Sequence, residues 1–164
     1  VLEALNERHN RQSFCCGKSS FLDDFCRDDA LADHDKNLTR VKVVVQEGSD
    51  RVLGYHSMCA AEIKERRLSY LFGGKDGPHV PAVRLEKFAA DREHQGGVLS
   101  DALMLDVFRT AIEVASKVGA CFLYLDAANE RLVKYYEGFD FIRVSSKGLG
   151  MYIPIETMRD AVPA

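Results

Sequence analysis

Few folds accept the order written between Phe88 and Leu125: an extended apolar run, a glycine turn, a long one-sided helix and a second apolar run. Leu99, Leu103, Val107, Ala111 and Ala115 recur every four residues, and Met104, Phe108, Ile112 and Val118 widen the stripe. Gly119 supplies a natural left-handed stop. The run Ala120-Cys121-Phe122-Leu123-Tyr124-Leu125 is almost wholly apolar, as a strand covered on both faces is. Ahead of the helix, residues 80–90 read as a long strand. Asp91-Arg92-Glu93-His94-Gln95-Gly96-Gly97 then joins strand to helix. The first amides of a helix have no intrahelical partner, and the helix dipole adds partial positive charge, so such a join can hold phosphate. A Gly-Gly turn is also an ordinary connection, and this stretch alone leaves both readings open.

The rest of the chain extends the pattern. Residues 1–5 read as a short edge strand. Ser19 or Ser20 caps a helix over about 20–33, with Phe21, Leu22, Phe25, Cys26 and Ala30 at helical spacing. Six aspartates between Lys18 and Lys36 give that helix an acidic outer face. Val41-Lys42-Val43-Val44-Val45-Gln46 and residues 51–63 form a hairpin around Glu47-Gly48-Ser49-Asp50. A helical turn over 66–70 is followed by a glycine-rich loop to His79. Asn129 caps a helix to about Glu137. Phe139-Asp140-Phe141-Ile142-Arg143-Val144 and Gly150-Met151-Tyr152-Ile153-Pro154-Ile155 are two closing strands, and the tail past Glu156 is peripheral. The order is (β)α–ββ–βα–βα–ββ, an α/β (α+β) chain with a central mixed sheet flanked by helices. At 164 residues it is expected to be a single domain, 1–164.

Composition narrows the function class. A net charge of −3 argues against a generic nucleic-acid coat. The five cysteines are odd in number and lack CxxC spacing, and the five histidines are scattered, so no metal site and no disulfide framework is expected. The opening run Val1-Leu2-Glu3-Ala4-Leu5-Asn6-Glu7-Arg8 breaks into charge at once, unlike a signal peptide. No apolar run approaches the ~18 residues of a membrane span. A cytoplasmic protein with no membrane partner is the expectation.

In this setting the chain resembles a GNAT-family N-acetyltransferase. Asp91-Arg92-Glu93-His94-Gln95-Gly96-Gly97-Val98-Leu99-Ser100-Asp101-Ala102-Leu103 follows, without a gap, that family's D-R-R-Y-Q-G-Q-G-L-G-E-A-L, and residues 129–141 resemble its N-E-x-A-x-x-F-Y-x-x-x-G-F. Ser13-Phe14-Cys15-Cys16-Gly17, Leu53-Gly54-Tyr55-His56-Ser57-Met58-Cys59-Ala60-Ala61-Glu62 and residues 80–92 resemble the toxin branch. The resemblance implies the GNAT acyl-CoA N-acyltransferase fold and acetyl-CoA as co-substrate. It implies a toxin that acetylates the amino group of aminoacyl-tRNA and so blocks translation, a ribbon-helix-helix antitoxin as partner, and a homodimer. Two alternatives stand beside it: an acetyltransferase of a small amine or peptide, and a degenerate GNAT fold that binds or regulates.

The resemblance also assigns residues. Phe88, Ala89 and Ala90 would align the pantetheine arm and polarise the thioester. Arg92, Gln95, Gly96, Gly97, Val98, Leu99 and Ser100 would form the pyrophosphate turn, and Asn129 would lie near CoA. Tyr136 is the candidate general acid for the leaving thiolate, since a phenol with a pKa near about 10 carries its proton at neutral pH. It is equally a residue type that fills cores. Glu62 or His56 could act as base through a water, and Arg84, Lys87 and Arg92 could meet phosphates. The chain departs from the motif at Glu93, where the family has Arg or Gln, and at Val98, where it has glycine. Asp140 replaces the glycine of the later motif. A carboxylate at Glu93 would repel pyrophosphate unless it is turned away, and a β-branched side chain at Val98 stands where backbone should approach phosphate.

Overall fold

The computed structural model describes residues 1–73 and 79–163. The elements are β1 (Leu2–Ala4), α1 (Ser20–Asp24), a π-helical segment (Phe25–Asp29), α2 (Ala30–Asp35), β2 (Arg40–Val45) and β3 (Val52–Lys64). They continue with α3 (Arg66–Leu71), β4 (His79–Ala90), a 3₁₀ turn (Arg92–His94), α4 (Val98–Val118), β5 (Phe122–Asp126), α5 (Glu130–Glu137), β6 (Ile142–Arg143), β7 (Gly150–Pro154) and α6 (Ile155–Ala161). The sheet has seven strands in the order β1-β2-β3-β4-β5-β7-β6. β4 and β5 are parallel, with Ala82 opposite Phe122, while β5–β7, β6–β7, β1–β2 and β2–β3 are antiparallel. The expected mixed sheet with flanking helices is therefore the observed one. Of the expected glycine-rich loop, residues 74–78 lie outside the described residues.

The residues gather into two compact units. The first is Val1–Cys59 with Leu85–Val107, and the second is Ala60–Arg84 with Phe108–Ala164. In the first, Val41, Val43 and Val45 alternate inward along β2 and meet Phe14, Phe25, Tyr55 and Ala89. Tyr55 is fully buried, packs edge-on to Phe14 at 5.3 Å, and donates its hydroxyl to Leu22 O at 2.8 Å. On the other face of β3, Gly54 leaves room for α4. A Cβ there would lie 2.8 Å from Leu99 Cδ2 and 3.0 Å from Leu103 Cδ1. In the second unit, Phe72 stacks at 4.9 Å on Phe122, which meets Tyr152 at 5.8 Å, over Ile63, Leu68 and Val80.

Three expectations are corrected. The helix over 20–33 is not one regular α-helix: it opens into a π turn at Phe25–Asp29. Arg11 Nη1 donates to Cys26 O at 3.1 Å and Arg27 O at 2.7 Å, taking carbonyls that the widened turn presents. The strand expected over 139–144 shrinks to Ile142–Arg143, because α5 closes in a turn. Phe139 N and Phe141 N both donate to Tyr136 O, and Asp140 takes φ +70. The tail is not peripheral, since α6 buries Ile155 and, completely, Met158.

Candidate active site

The first unit carries the join between β4 and α4, and a buried carboxylate shapes it. Asp91 is 2% exposed. Its Oδ1 accepts from Glu93 N at 3.2 Å, which starts the 3₁₀ turn, and its Oδ2 accepts from Cys15 N at 3.3 Å. Asp91 N donates to Leu53 O at 2.8 Å, and Arg92 N to Cys15 O at 2.9 Å. The Gln95 side-chain amide donates to Cys16 O and to Ala90 O. The Cys15–Gly17 backbone thus braces the turn from outside it. Gly17 adopts φ +74, and a Cβ there would stand 3.3 Å from Arg92 Cβ. The sequence assigned no site role to this brace, although its residues were among those that carried the resemblance.

Beyond the brace the backbone is open. Gly96 takes φ +64, and a Cβ on Gly96 or Gly97 would meet nothing within 4 Å. The first α4 amide to donate within the helix is Asp101 N, to Gly97 O at 3.1 Å. The amides of Val98, Leu99 and Ser100 precede it and have no acceptor inside the helix. A helix of 21 residues stands behind them and directs its positive end there. Such a turn fits a diphosphate. Ala89 and Ala90 are buried and Phe88 half-buried at the end of β4.

The two departures from the motif find local answers. Glu93 Oε2 is paired at 3.3 Å with Arg51 Nη2, and the same guanidinium lies 3.7 Å from Asp91 Oδ2. Val98 is 87% exposed, so its branched side chain projects into solvent and is not wedged beneath the turn.

His56, one candidate base, is 1% exposed and hydrogen-bonds through Nε2 to Asp106 Oδ2 at 2.7 Å, while Lys42 Nζ takes Asp106 Oδ1 at 2.9 Å. Burial works to raise the Asp106 carboxyl, but the bonds from His56 and Lys42 and their charge outweigh it and hold it below its usual range. The ionised carboxylate therefore accepts, and His56 ties β3 to α4. Lys87 Nζ lies 4.0 Å from the Phe25 ring centre and 5.5 Å from that of Phe21.

The second unit carries α5. Asn129 is its N-cap, accepting from Leu132 N at 3.0 Å. Tyr136 is buried, with Phe141 5.6 Å and Tyr135 5.3 Å from its ring centre. Burial first, and the neighbouring Tyr135 second, push its hydroxyl well above the ordinary phenol range. The hydroxyl therefore carries its proton at neutral pH, and among the described residues it makes no hydrogen bond. Glu62, the other candidate base, is exposed and lies 3.2 Å from His79 Nδ1. Arg84 is engaged by Asp126 at 2.5 Å. Among the described residues no group of three or more His, Cys, Asp or Glu side chains is placed to hold a metal ion, and no helix is long and apolar enough to cross a membrane.

No family model matches the sequence. A tRNA-acetylating toxin of Mycobacterium tuberculosis (strain ATCC 25618 / H37Rv) is 28% identical over 129 residues, covering 79% of this chain and 76% of that protein. A probable toxin TacT of Sinorhizobium fredii (strain NBRC 101917 / NGR234) is 25% identical over 169 residues, covering 97% of this chain and 93% of that one. Among solved structures, a tyrosine-to-phenylalanine mutant of KacT superposes with TM-score 0.89 at 20% identity over 98% of both chains. AtaT in complex with acetyl-methionyl-tRNAfMet superposes with TM-score 0.87 at 22% identity, again over 98% of both. A tyrosine-to-phenylalanine mutant of the AtaT toxin bound to the C-terminus of the antitoxin AtaR and acetyl-CoA superposes with TM-score 0.81 at 22% identity, over 98% of this chain and 96% of that one. The fold is the GNAT fold of these toxins, and the relatives by sequence and by structure are toxins of the kind the motifs resemble.

Proposed function

We propose that this chain is an acetyl-CoA-dependent N-acetyltransferase, a cytoplasmic toxin that acetylates the α-amino group of aminoacyl-tRNA and so blocks translation. The observation that carries the reading is the open amide set of Gly96–Ser100 at the head of α4, in a chain whose relatives include a tRNA-acetylating toxin. The amides of Val98, Leu99 and Ser100 and the dipole of α4 hold the CoA diphosphate. The backbone of Phe88–Ala90 aligns the pantetheine arm and polarises the thioester carbonyl. The amine nitrogen attacks that carbonyl carbon, the C–S bond breaks, and Tyr136 donates its proton to the departing thiolate. The ammonium proton of the new amide goes to water, and the phenolate is reprotonated from solvent. An α-amine titrates near about 8, so a useful fraction is neutral at pH 7 and no strong base is required. Arg51, which pairs with Glu93, and the outward course of Val98 support this reading over a degenerate fold. A ribbon-helix-helix antitoxin and a homodimer complete the proposal.

The test is Tyr136→Phe, which removes only the hydroxyl. Turnover is expected to fall by about 10²-fold or more, the usual contribution of a positioned acid, while calorimetric titration with acetyl-CoA gives the wild-type affinity. Unchanged turnover removes Tyr136 from the chemistry. Absence of acetyl-CoA binding by the wild-type chain removes the enzyme reading, and absence of acetylated aminoacyl-tRNA after expression removes the toxin reading.

A further inference from the structure

The proposed acceptor is a polyanion, yet the chain is net negative. The imbalance is uneven: Val1–Cys59 with Leu85–Val107 holds 10 Lys and Arg against 15 Asp and Glu, net −5, and Ala60–Arg84 with Phe108–Ala164 holds 12 against 10, net +2, together the −3 of the chain. The first unit also carries the aspartates of α1, the π-helical segment and α2, of which Asp24, Asp28, Asp29 and Asp35 are exposed. An RNA-binding surface belongs on the second unit, and one short element there has the necessary chemistry.

That element is α3. Its inner side is fixed: Leu68 is fully buried, Ser69 is buried, and Phe72, just past its end, is locked between Phe122 and Tyr152. Among the described residues its outer side is neither packed nor neutralised. Tyr70 is 88% exposed, more than any other large hydrophobic side chain, and Arg66 precedes it by four residues, on the same helical face. Lys64 and Arg66 are both exposed, and neither makes an ion pair among the described residues. Among the described residues nearby, the Glu65 carboxylate caps α3 by accepting from Arg67 N at 3.1 Å, and Glu62 lies 3.2 Å from His79 Nδ1. Arg67 Nη1 donates to Val144 O at 3.1 Å, and exposed Lys147 follows Val144 by three residues in the turn that Gly148 N closes on Ser145 O at 3.2 Å. An exposed aromatic ring among unpaired cations on a rigid support is how proteins hold unpaired nucleotides: bases stack on the ring and the cations follow the phosphates.

We propose that the outer face of α3, formed by Lys64, Arg66 and Tyr70 with Lys147, is a contact surface for an RNA strand of the acceptor, Tyr70 stacking an unpaired base and the three cations meeting its phosphates. The inference rests on aminoacyl-tRNA as acceptor. It locates the RNA contact on a part of the chain with no role in holding acetyl-CoA, and it explains how an acidic chain acts on a nucleic acid.

The test uses the full chain and deacylated tRNA, with affinities measured from low to moderate salt, for Tyr70→Ala, Tyr70→Phe and the double variant Lys64→Gln/Arg66→Gln. All sites are exposed, so circular dichroism and acetyl-CoA affinity are expected to stay at wild-type values. Tyr70→Ala should weaken tRNA binding by about tenfold, as loss of one stacked base does, with Tyr70→Phe close to wild type. The double variant should lower the slope of log K against log salt by roughly one to one and a half, for two lost phosphate contacts. Wild-type tRNA affinity in Tyr70→Ala and the double variant overturns the surface while leaving the acceptor reading intact. No tRNA binding and no acetylation by the wild-type chain fails the acceptor reading and overturns the surface with it. A drop in oligomeric state of Tyr70→Ala in sedimentation, without change in tRNA affinity, assigns the face to a second copy of the chain and also overturns it.

Discussion

Glu93 shows what a single residue can and cannot reveal. In sequence it stands where a cation or an amide should face pyrophosphate, and it reads as a fault. In the structure Arg51, forty-two positions earlier, takes its carboxylate and lies beside Asp91 as well. No spacing rule links positions that far apart, so the compensation is invisible in one sequence. The same holds for Asp91, whose partner Cys15 N is seventy-six positions away. Tyr136 was legible as an inward-facing aromatic, but the upward pressure of burial on its hydroxyl needed the surroundings of α5. If Glu93 and Arg51 largely cancel, removing either charge must shift acetyl-CoA affinity in opposite directions. Glu93→Gln is expected to tighten binding by about twofold to fivefold at low salt, an exposed-charge effect that fades as salt rises. Arg51→Gln is expected to weaken binding by more, because it leaves Glu93 uncompensated and takes the cation from Asp91. Titration of both variants at two ionic strengths checks this, and weaker binding in Glu93→Gln would show that its carboxylate supports the turn.

At the level of elements, the sequence was most legible where periodicity ran long. The stripe of α4 and the apolar run of β5 needed no tertiary information, and Asn129 and Ser19 announced their helices by capping chemistry. Legibility failed where a distant group overrode local pattern or where the pattern was too short. The π turn depends on Arg11, which lies fifteen and sixteen residues before the carbonyls it binds. α6 offers only Ile155 and Met158 on its inner side, a single turn of evidence. β7 lies between β5 and β6, an order that hairpin reasoning about 139–155 does not supply. Two substitutions test the element contacts. Arg11→Ala strips both carbonyls of a charged donor and should lower unfolding free energy by about 2 kcal/mol, within the range for bonds to charged groups. Gly54→Ala pushes a methyl group against Leu99, Leu103 and the backbone oxygen of Ala89, 3.3 Å from its Cβ. Overpacking of this kind costs about 1–3 kcal/mol. Because the displaced residues are the first turns of α4, Gly54→Ala should also weaken acetyl-CoA binding, whereas Arg11→Ala should affect stability alone. Urea unfolding with parallel titration separates the two.

For the molecule as a whole, the buried titrating groups set a window of pH in which the fold is stable. His34 is 7% exposed, its Nδ1 accepts from Val41 N at 3.0 Å, and burial, followed by the charge of Arg40, lowers it below its ordinary 6.5. Asp106 is lowered from 3.8, the bonds from His56 and Lys42 prevailing over burial. In both cases the unfolded chain binds a proton at a pH where the native chain refuses it, so stability is intact above the unfolded value and falls as pH drops through the folded one. The acid limb therefore begins below about 6.5 with His34 and steepens below about 4 with Asp106. On the alkaline side, burial raises the thiol of Cys26 to about 12, raises those of Cys16 and Cys121 above 9.0, and raises the hydroxyls of Tyr55 and Tyr136 above 10.0. Here the unfolded chain gives up protons first, so stability is complete below about 9 and declines above it. Urea midpoints measured from about pH 3 to 10 should trace a plateau between about 6.5 and 9 with a falling limb on each side. His34→Gln retains an acceptor for Val41 N and cannot titrate. It should flatten the acid limb between about 6.5 and 5 while leaving the steep fall near 4 in place, and a variant with the wild-type limb would assign that loss to a group other than His34.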